Sequence, residues 1–401
     1  MGKFIENLEK EGLMENTIIF YYGDHGGVLP RSKGYLYESG LNVPMVVRVP
    51  EKWKNLSPFK GGTRTSSFVD FVDLVPTVLS LAGIKIPEGI DGTPFMGKGL
   101  KKSQIEKQDT TFGYADRFDE KYDLVRSVRK GKYKYIRNYQ PFNVDGLYNY
   151  YRYKMLAYKE WYELYNNGKL NDIQSQFFNA RSPEALYDIE KDPHEINNLA
   201  QNDQHKETLI NLRETLNNHV VSQADLSFFP EPYFLENGLA DAVSFGQENK
   251  NLVEKLITTA DLSLQPYNEV SSKIKDALNN KNPWIRYWGL IVCSSFGLKA
   301  KEHLNKINSI FENDSENLVK IRAAEYLLLN NLKIDSSLIN NVLKNANSES
   351  EANLMLNTLA LIKTKNSDYK LELNKSVYPD KWFEKENGLV NRRMNYLTNN
   401  E

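Results

Sequence analysis

An apolar run, Thr17-Ile18-Ile19-Phe20, leads through two tyrosines into a Gly-rich turn that carries an acid and an imidazole, Gly23-Asp24-His25-Gly26-Gly27. The β-branched and aromatic residues read as a buried strand. The glycines let the backbone turn sharply and approach a ligand. In open α/β sheets ligands bind beyond the carboxyl ends of strands, so Asp24 and His25 stand where such a site is built. Asp24 offers a carboxylate oxygen to a hard divalent cation, and His25 a ring nitrogen. A calcium-type site collects about six to eight ligands, so two neighbours are a fragment of one. On these residues alone, a capping aspartate with a hydrogen-bonded histidine reads equally well. Lys33 follows in the same loop, a strongly hydrated point charge suited to an oxyanion.

Around this corner the pattern is α/β. Phe4, Ile5 and Leu8 share one helical face that ends at Gly12, ahead of the strand at Thr17–Tyr22. Val43-Pro44-Met45-Val46-Val47 reads as a second strand, continuous enough to be buried on both faces. Asp70 to Ala82 has helical spacing, with Asp73 placed to cap a helix holding Pro76 in its first turn. A different texture begins near Lys107. Leu124–Arg129 and Tyr133–Arg137 flank Lys130-Gly131-Lys132 as a hairpin, Ala185–Asp188 is a short strand, and His205–Val221 is a helix. The aromatic stretch Tyr148–Tyr165 has no clear assignment.

From Ser271 the chain is helical with a loose repeat. Asn282-Pro283-Trp284-Ile285-Arg286 is echoed by Asn317-Leu318-Val319-Lys320-Ile321-Arg322, and a fainter copy runs from Glu351 to Leu361. The offset is close to the period of HEAT or armadillo arrays, about 40 residues. Such repeats bury their apolar faces by stacking, and a concave surface on them is the basis of a competing reading as a binding scaffold.

Charge and cysteine exclude several classes. With 51 basic and 52 acidic residues the chain offers no basic surface for nucleic acid or anionic membrane. No apolar run is long enough to predict a transmembrane helix, and Met1–Leu13 is an amphipathic helix pattern rather than a signal peptide. The single cysteine, Cys293, sits in Ile291-Val292-Cys293 as an inert core thiol, with no base nearby to activate it.

The stretch Glu15–Pro50 resembles the C-terminal half of the sulfatase catalytic domain, within the alkaline-phosphatase-like superfamily. In that family a strand ends in Asp-Asn or Asp-His, and a Lys-Gly-x-x-Tyr-Glu-x-Gly segment leads to a Val-Pro strand. Here that segment is Lys33-Gly34-Tyr35-Leu36-Tyr37-Glu38-Ser39-Gly40. FVDLVPTVLSLAGI at 71–84 and ALYDIEKDPHEINNLA at 185–200 are similar to the family too. The resemblance implies an α/β fold in three parts. Residues 1–105 are part of the catalytic sheet, 106–235 the smaller antiparallel-sheet subdomain, 236–270 a linker and 271–401 HEAT-like helical repeats.

The resemblance further implies that Asp24 and His25 ligate a divalent metal, usually Ca2+, and that Lys33 binds the sulfate group. Arg31 is close enough to face the same anion, although an ordinary surface arginine reads as well. Arg117, with Asp119 and Glu120, reads either as the lining of a sugar pocket or as an ion-pair cluster. Glu38 is expected to pair with a nearby cation and shape the loop. His194 reads as structural, and His205, His219 and His303 fall on exposed-looking helical segments. The implied substrate is a sulfated carbohydrate, hydrolysed at a sulfate ester or sulfamate, and a full-length member is expected in the periplasm or secreted.

The family's nucleophile is a formylglycine made from Cys/Ser-x-Pro-x-Arg, and no such motif occurs in these 401 residues. Met1 falls where a full-length member runs through mid-domain. A fragment, an internal start or a split gene with a separate amino-terminal half is the expectation, together with no turnover by this chain alone. A phosphodiesterase or phosphonate hydrolase of the same superfamily is the alternative enzyme.

Overall fold

The computed structural model describes residues 1–366, 373 and 375–398. The helix Gly2–Lys10 (α1) precedes strand β1, Ile19–Tyr22, which pairs antiparallel with β2, Met45–Arg48, in register Ile19 to Arg48 and Tyr22 to Met45. Phe20, Met45 and Val47 face a small core with Phe95, Met96 and Ile105. Tyr21 and Val46 lie on the opposite face and are exposed. The expectation that the second strand is buried on both faces is therefore corrected. In a two-stranded ribbon the side chains alternate between a covered face and an open one. Helix α2, Leu74–Leu81, follows a single 3-10 turn at Phe71–Asp73. Asp73 does not cap α2 through its side chain. Its carboxylate instead accepts from Asp70 N and Thr93 N, tying the turn to a later loop.

The second sheet is a four-stranded antiparallel meander: β3 Thr110–Ala115, β4 Val125–Lys130, β5 Tyr133–Asn138 and β6 Glu184–Asp188. Gly131 closes the β4–β5 hairpin with φ 55°, a left-handed turn that glycine adopts without strain. Between β5 and β6 the tyrosine-rich stretch folds into helices, chiefly α3, Leu156–Asn166. The aromatic rings pack on one another and on Tyr35, which is why a sequence with no clean period still folds. Helix α4, Lys206–Ser222, buries Leu209, Leu212, Leu216 and Val220, a stripe at three- and four-residue spacing, against β4 and β5.

The stretch 236–270 is not a linker. It holds helix α6, Ala242–Ala260, after α5, Glu231–Asn237, and it buries Val253, Leu256 and Ile257. The helical part continues as α7 Tyr267–Leu278, α8 Pro283–Phe296, α9 Leu304–Asn313, α10 Asn317–Leu329, α11 Ser336–Lys344, α12 Glu349–Lys365 and α13 Leu389–Thr398. Helices α8, α10 and α12 stack in sequence. The two repeat arginines differ in role. Arg286 closes on Asp314 at 2.7 Å, whereas Arg322 is buried between Glu325 and Tyr287. The name HEAT thus rests on the spacing alone.

Nor is this helical part a separate body. Trp288 Nε1 donates to Phe228 O at 2.8 Å, Tyr122 N to Asn357 Oδ1 at 2.9 Å, and Arg393 Nη2 to Glu120 O at 3.0 Å. One apolar core runs from Tyr122 through Trp288 to Met394. Cys293 lies fully buried in it, and burial pushes its thiol pKa well up, as for an inert core residue. No helix among the described residues is long and apolar enough to cross a membrane.

Candidate functional site

β1 ends at Tyr22, and Gly23 N donates to Pro44 O, so the turn springs directly from the sheet. Gly26 then passes under the end of the loop. A β-carbon there would meet Ser39 O at 1.9 Å, so no other residue fits. The ring of His25 donates from Nδ1 to Gly26 O at 2.6 Å, since a carbonyl only accepts. That bond leaves the Nε2 lone pair of the neutral ring free, 3.4 Å from Asp24 Oδ2. Two donors about 2.4 Å from one cation and at right angles to each other are separated by about 3.4 Å. Asp24 and His25 therefore fit as two adjacent ligands of a divalent ion. Among the described residues no third acid, histidine or cysteine joins them.

Lys33 lies across the same loop, its N–H donating to Gly27 O at 3.1 Å. Its ammonium lies over the Tyr151 ring, 5.6 Å from the centroid, and among the described residues it has no carboxylate partner. Such a cation remains available to an anion. Behind it the chain is clamped. Gly34 has φ 80°, and Arg152 runs beneath it, donating from Nη2 to Lys33 O at 3.2 Å and from Nη1 to Tyr35 OH at 3.0 Å. The guanidinium lies over the Tyr35 and Phe118 rings, about 4 Å from each.

Glu38 forms the second clamp. Its carboxylate binds Arg129 at 2.5 Å and Lys134 at 3.1 Å, while Lys134 also meets Glu195 at 2.9 Å. Glu195 in turn accepts from Glu38 N at 2.6 Å. Lys134 and Glu195 are almost wholly buried, and burial raises the Glu195 carboxyl pKa against the pull of Lys134. Beneath Tyr35–Tyr37 lies a cavity of about 390 Å³ with Lys121, Asp123, Asp145 and Arg181 on its wall. Arg181 joins the two aspartates at 2.8 and 3.2 Å, and burial lowers the Lys121 ammonium pKa to about 8. These charges answer one another and hold the loop from below.

The two arginines for which substrate contact was one of two readings are both held by protein groups. Arg31, at φ 64°, stacks over Tyr37 at 4.0 Å and donates to Glu195 O at 2.9 Å. That left-handed turn directs its side chain into the antiparallel-sheet subdomain. Arg117 closes on both oxygens of Glu231, at 2.7 and 2.9 Å, and donates to Asp119 O. Glu120 is buried and accepts from Tyr150 N. The histidines read as exposed have partners: His219 stacks on Phe112 at 3.7 Å, His205 meets Tyr133 edge-on, and His303 is buried near Tyr267. Arg152, Tyr151, Lys134 and Glu195 were not legible as parts of the site. They come from a short helix, a strand and the loop after β6, all remote in sequence from Lys33.

Residues 1–84 match the sulfatase family model. An ulvan-active sulfatase of Formosa agariphila is 40% identical over 234 residues, 58% of this chain and 37% of the relative. An N-acetylglucosamine-6-O-sulfatase of Bacteroides thetaiotaomicron is 26% identical, covering 50% of this chain and 29% of that protein. A human N-sulphoglucosamine sulphohydrolase is 25% identical, covering 54% and 44%. The chain thus spans less than half the length of each of these relatives.

Proposed function

We propose that this chain, whose first 84 residues belong to the sulfatase family, serves an enzyme that hydrolyses sulfate esters or sulfamates of a carbohydrate. The observation that carries this reading is the His25 ring, held by Gly26 O so that Nε2 and Asp24 Oδ2 lie side by side. In this reading the pair takes a divalent cation, Ca2+ by family resemblance, and the bound ion would draw electron density from the sulfate oxygens. Lys33 stands ready to balance charge on the same oxygens, and Arg152 and Glu38 keep its loop in place. The relatives that act on ulvan, N-acetylglucosamine 6-sulfate and N-sulphoglucosamine support a sulfated sugar as substrate. None of the 401 residues lies in a motif that would yield formylglycine, so no step is assigned to that group in this chain.

The test is sulfate release from N-acetylglucosamine 6-sulfate and from ulvan by protein carrying the whole catalytic domain. Lys33→Ala should lower kcat by about 10²–10³, the scale for losing one preorganised donor to developing charge. Asp24→Asn should raise the Ca2+ concentration needed for half-maximal rate. Unchanged sulfate release by Lys33→Ala would refute the reading, and turnover only of phosphate diesters would move it to phosphoryl chemistry.

A further inference from the structure

Arg117 borders a second cavity, of about 340 Å³, between the turn after β3, helix α5 and the amino end of α12. Its size lies at the small end of the range for ligand pockets, about 300–1,000 Å³. Asn353, one turn into α12, is 1% exposed and lines this cavity, and its Oδ1 has no hydrogen-bond partner. A buried amide oxygen without a donor costs stability unless something supplies one. Ser350 brings a hydroxyl to the same wall, and Leu235 and Leu389 give it an apolar side.

The charges of the wall select the class of ligand. Arg117 is already neutralised by Glu231, and Glu349 adds a further negative charge. The cavity therefore holds no spare cation for a sulfate. It offers an acceptor and a hydroxyl for O–H groups and leucines for a C–H face. Its position is equally specific. Arg117 is followed by Phe118, whose ring would be 2.9 Å from a β-carbon at Gly34 and lies 6.0 Å from the Tyr151 ring beside Lys33. The turn after β3 thus carries Arg117 on the cavity wall and, next to it, Phe118 packed toward the Tyr151 ring that Lys33 overlies.

We propose that this cavity is a subsite for an unsulfated sugar residue next to the sulfated one, which makes the helical region part of substrate recognition. The proposal rests on the sulfated-carbohydrate reading above. In it Asn353 Oδ1 accepts a sugar hydroxyl, Ser350 exchanges a hydrogen bond with a second, and the leucines cover the ring's C–H face.

The experiment is affinity electrophoresis of the 401-residue chain through native gels containing ulvan, intact or chemically desulfated. The unaltered chain should be slowed by both. Asn353→Ala should weaken binding to desulfated ulvan about fivefold, the effect of one lost hydrogen bond. Leu235→Trp fills the cavity from a residue that is 38% exposed, so it tests the same site without disturbing the core. Thermal melting of both variants checks their folding. Lys33→Ala should weaken binding to intact ulvan only. No retardation by desulfated polymer, or retardation of folded Asn353→Ala and Leu235→Trp equal to that of the parent, would overturn the subsite. Loss in those two variants while Lys33→Ala behaves as the parent on both polymers would support the subsite and refute the sulfatase reading.

Discussion

The guanidinium of Arg152 occupies the space that a side chain at Gly34 would need: a β-carbon there would lie 2.4 Å from Nη2. The two residues are far apart in sequence, yet between them they set the backbone that presents Lys33. Gly34 supplies a left-handed turn, and Arg152 fills the hollow under it and binds the Lys33 carbonyl. Gly34→Ala should therefore cost about 1–2 kcal/mol from backbone conformation alone, and more as Arg152 is displaced. A urea midpoint that falls at constant slope would show it, whereas an unchanged midpoint would mean that the loop adapts without strain.

Lys134 is the centre of the second clamp. Removing it by Lys134→Met leaves Glu195 without its ion-pair partner beside Glu38, which keeps Arg129, and a broken buried pair costs about 3–5 kcal/mol. Glu195→Gln should be milder, because burial already favours the neutral carboxyl there. Equal losses in the two variants would argue against an uncompensated charge as the cause.

A pH effect should come from His219. Its half-buried ring stacks on Phe112 within 7° of parallel. Burial lowers its pKa below the usual 6.5, with Asp225 opposing. Below that pH the unfolded chain binds more protons than the folded one, so stability falls as pH drops. His219→Phe keeps the stack and removes the titration. Comparing unfolding free energies at pH 7.5 and 5.0, the parent should lose more stability than the variant, and parallel losses would exclude this ring.

What could be read from the sequence was local. Asp24, His25 and Lys33 stand within one loop beside a strand, so their order along the chain already placed them together. The hairpin around Gly131 and the stripe on α4 were legible because each repeats at the period of its own element. Arg31 and Arg117 were each left open between substrate contact and an ordinary structural role, because the sequence does not show the left-handed φ of Arg31 or the distant Glu231 that pairs with Arg117. The stretch 236–270 was expected to be a linker and carries a helix instead. Its apolar residues meet only at helical spacing, in Val253, Leu256 and Ile257.

The packing also decides how the chain should come apart under protease. Residues 1–105 hold a two-stranded ribbon and short helices, α1 and α2 among them, with Tyr21, Val46, Val72, Val75 and Val78 all exposed. Two strands make a marginal unit, and β1 has no partner on its other edge among the described residues. Local opening is easiest where few apolar contacts resist it, so cleavage should begin there. The packing of the helical region does not allow it to survive alone from about residue 270. Trp288, Asn357 and Arg393 are bound to Phe228, Tyr122 and Glu120, and the apolar core crosses every boundary between them. The resistant product should therefore begin near residue 106 and include the antiparallel sheet. Mass spectrometry of a trypsin time course would show it, and a stable core beginning near residue 270 would mean that these bonds do not couple the two parts.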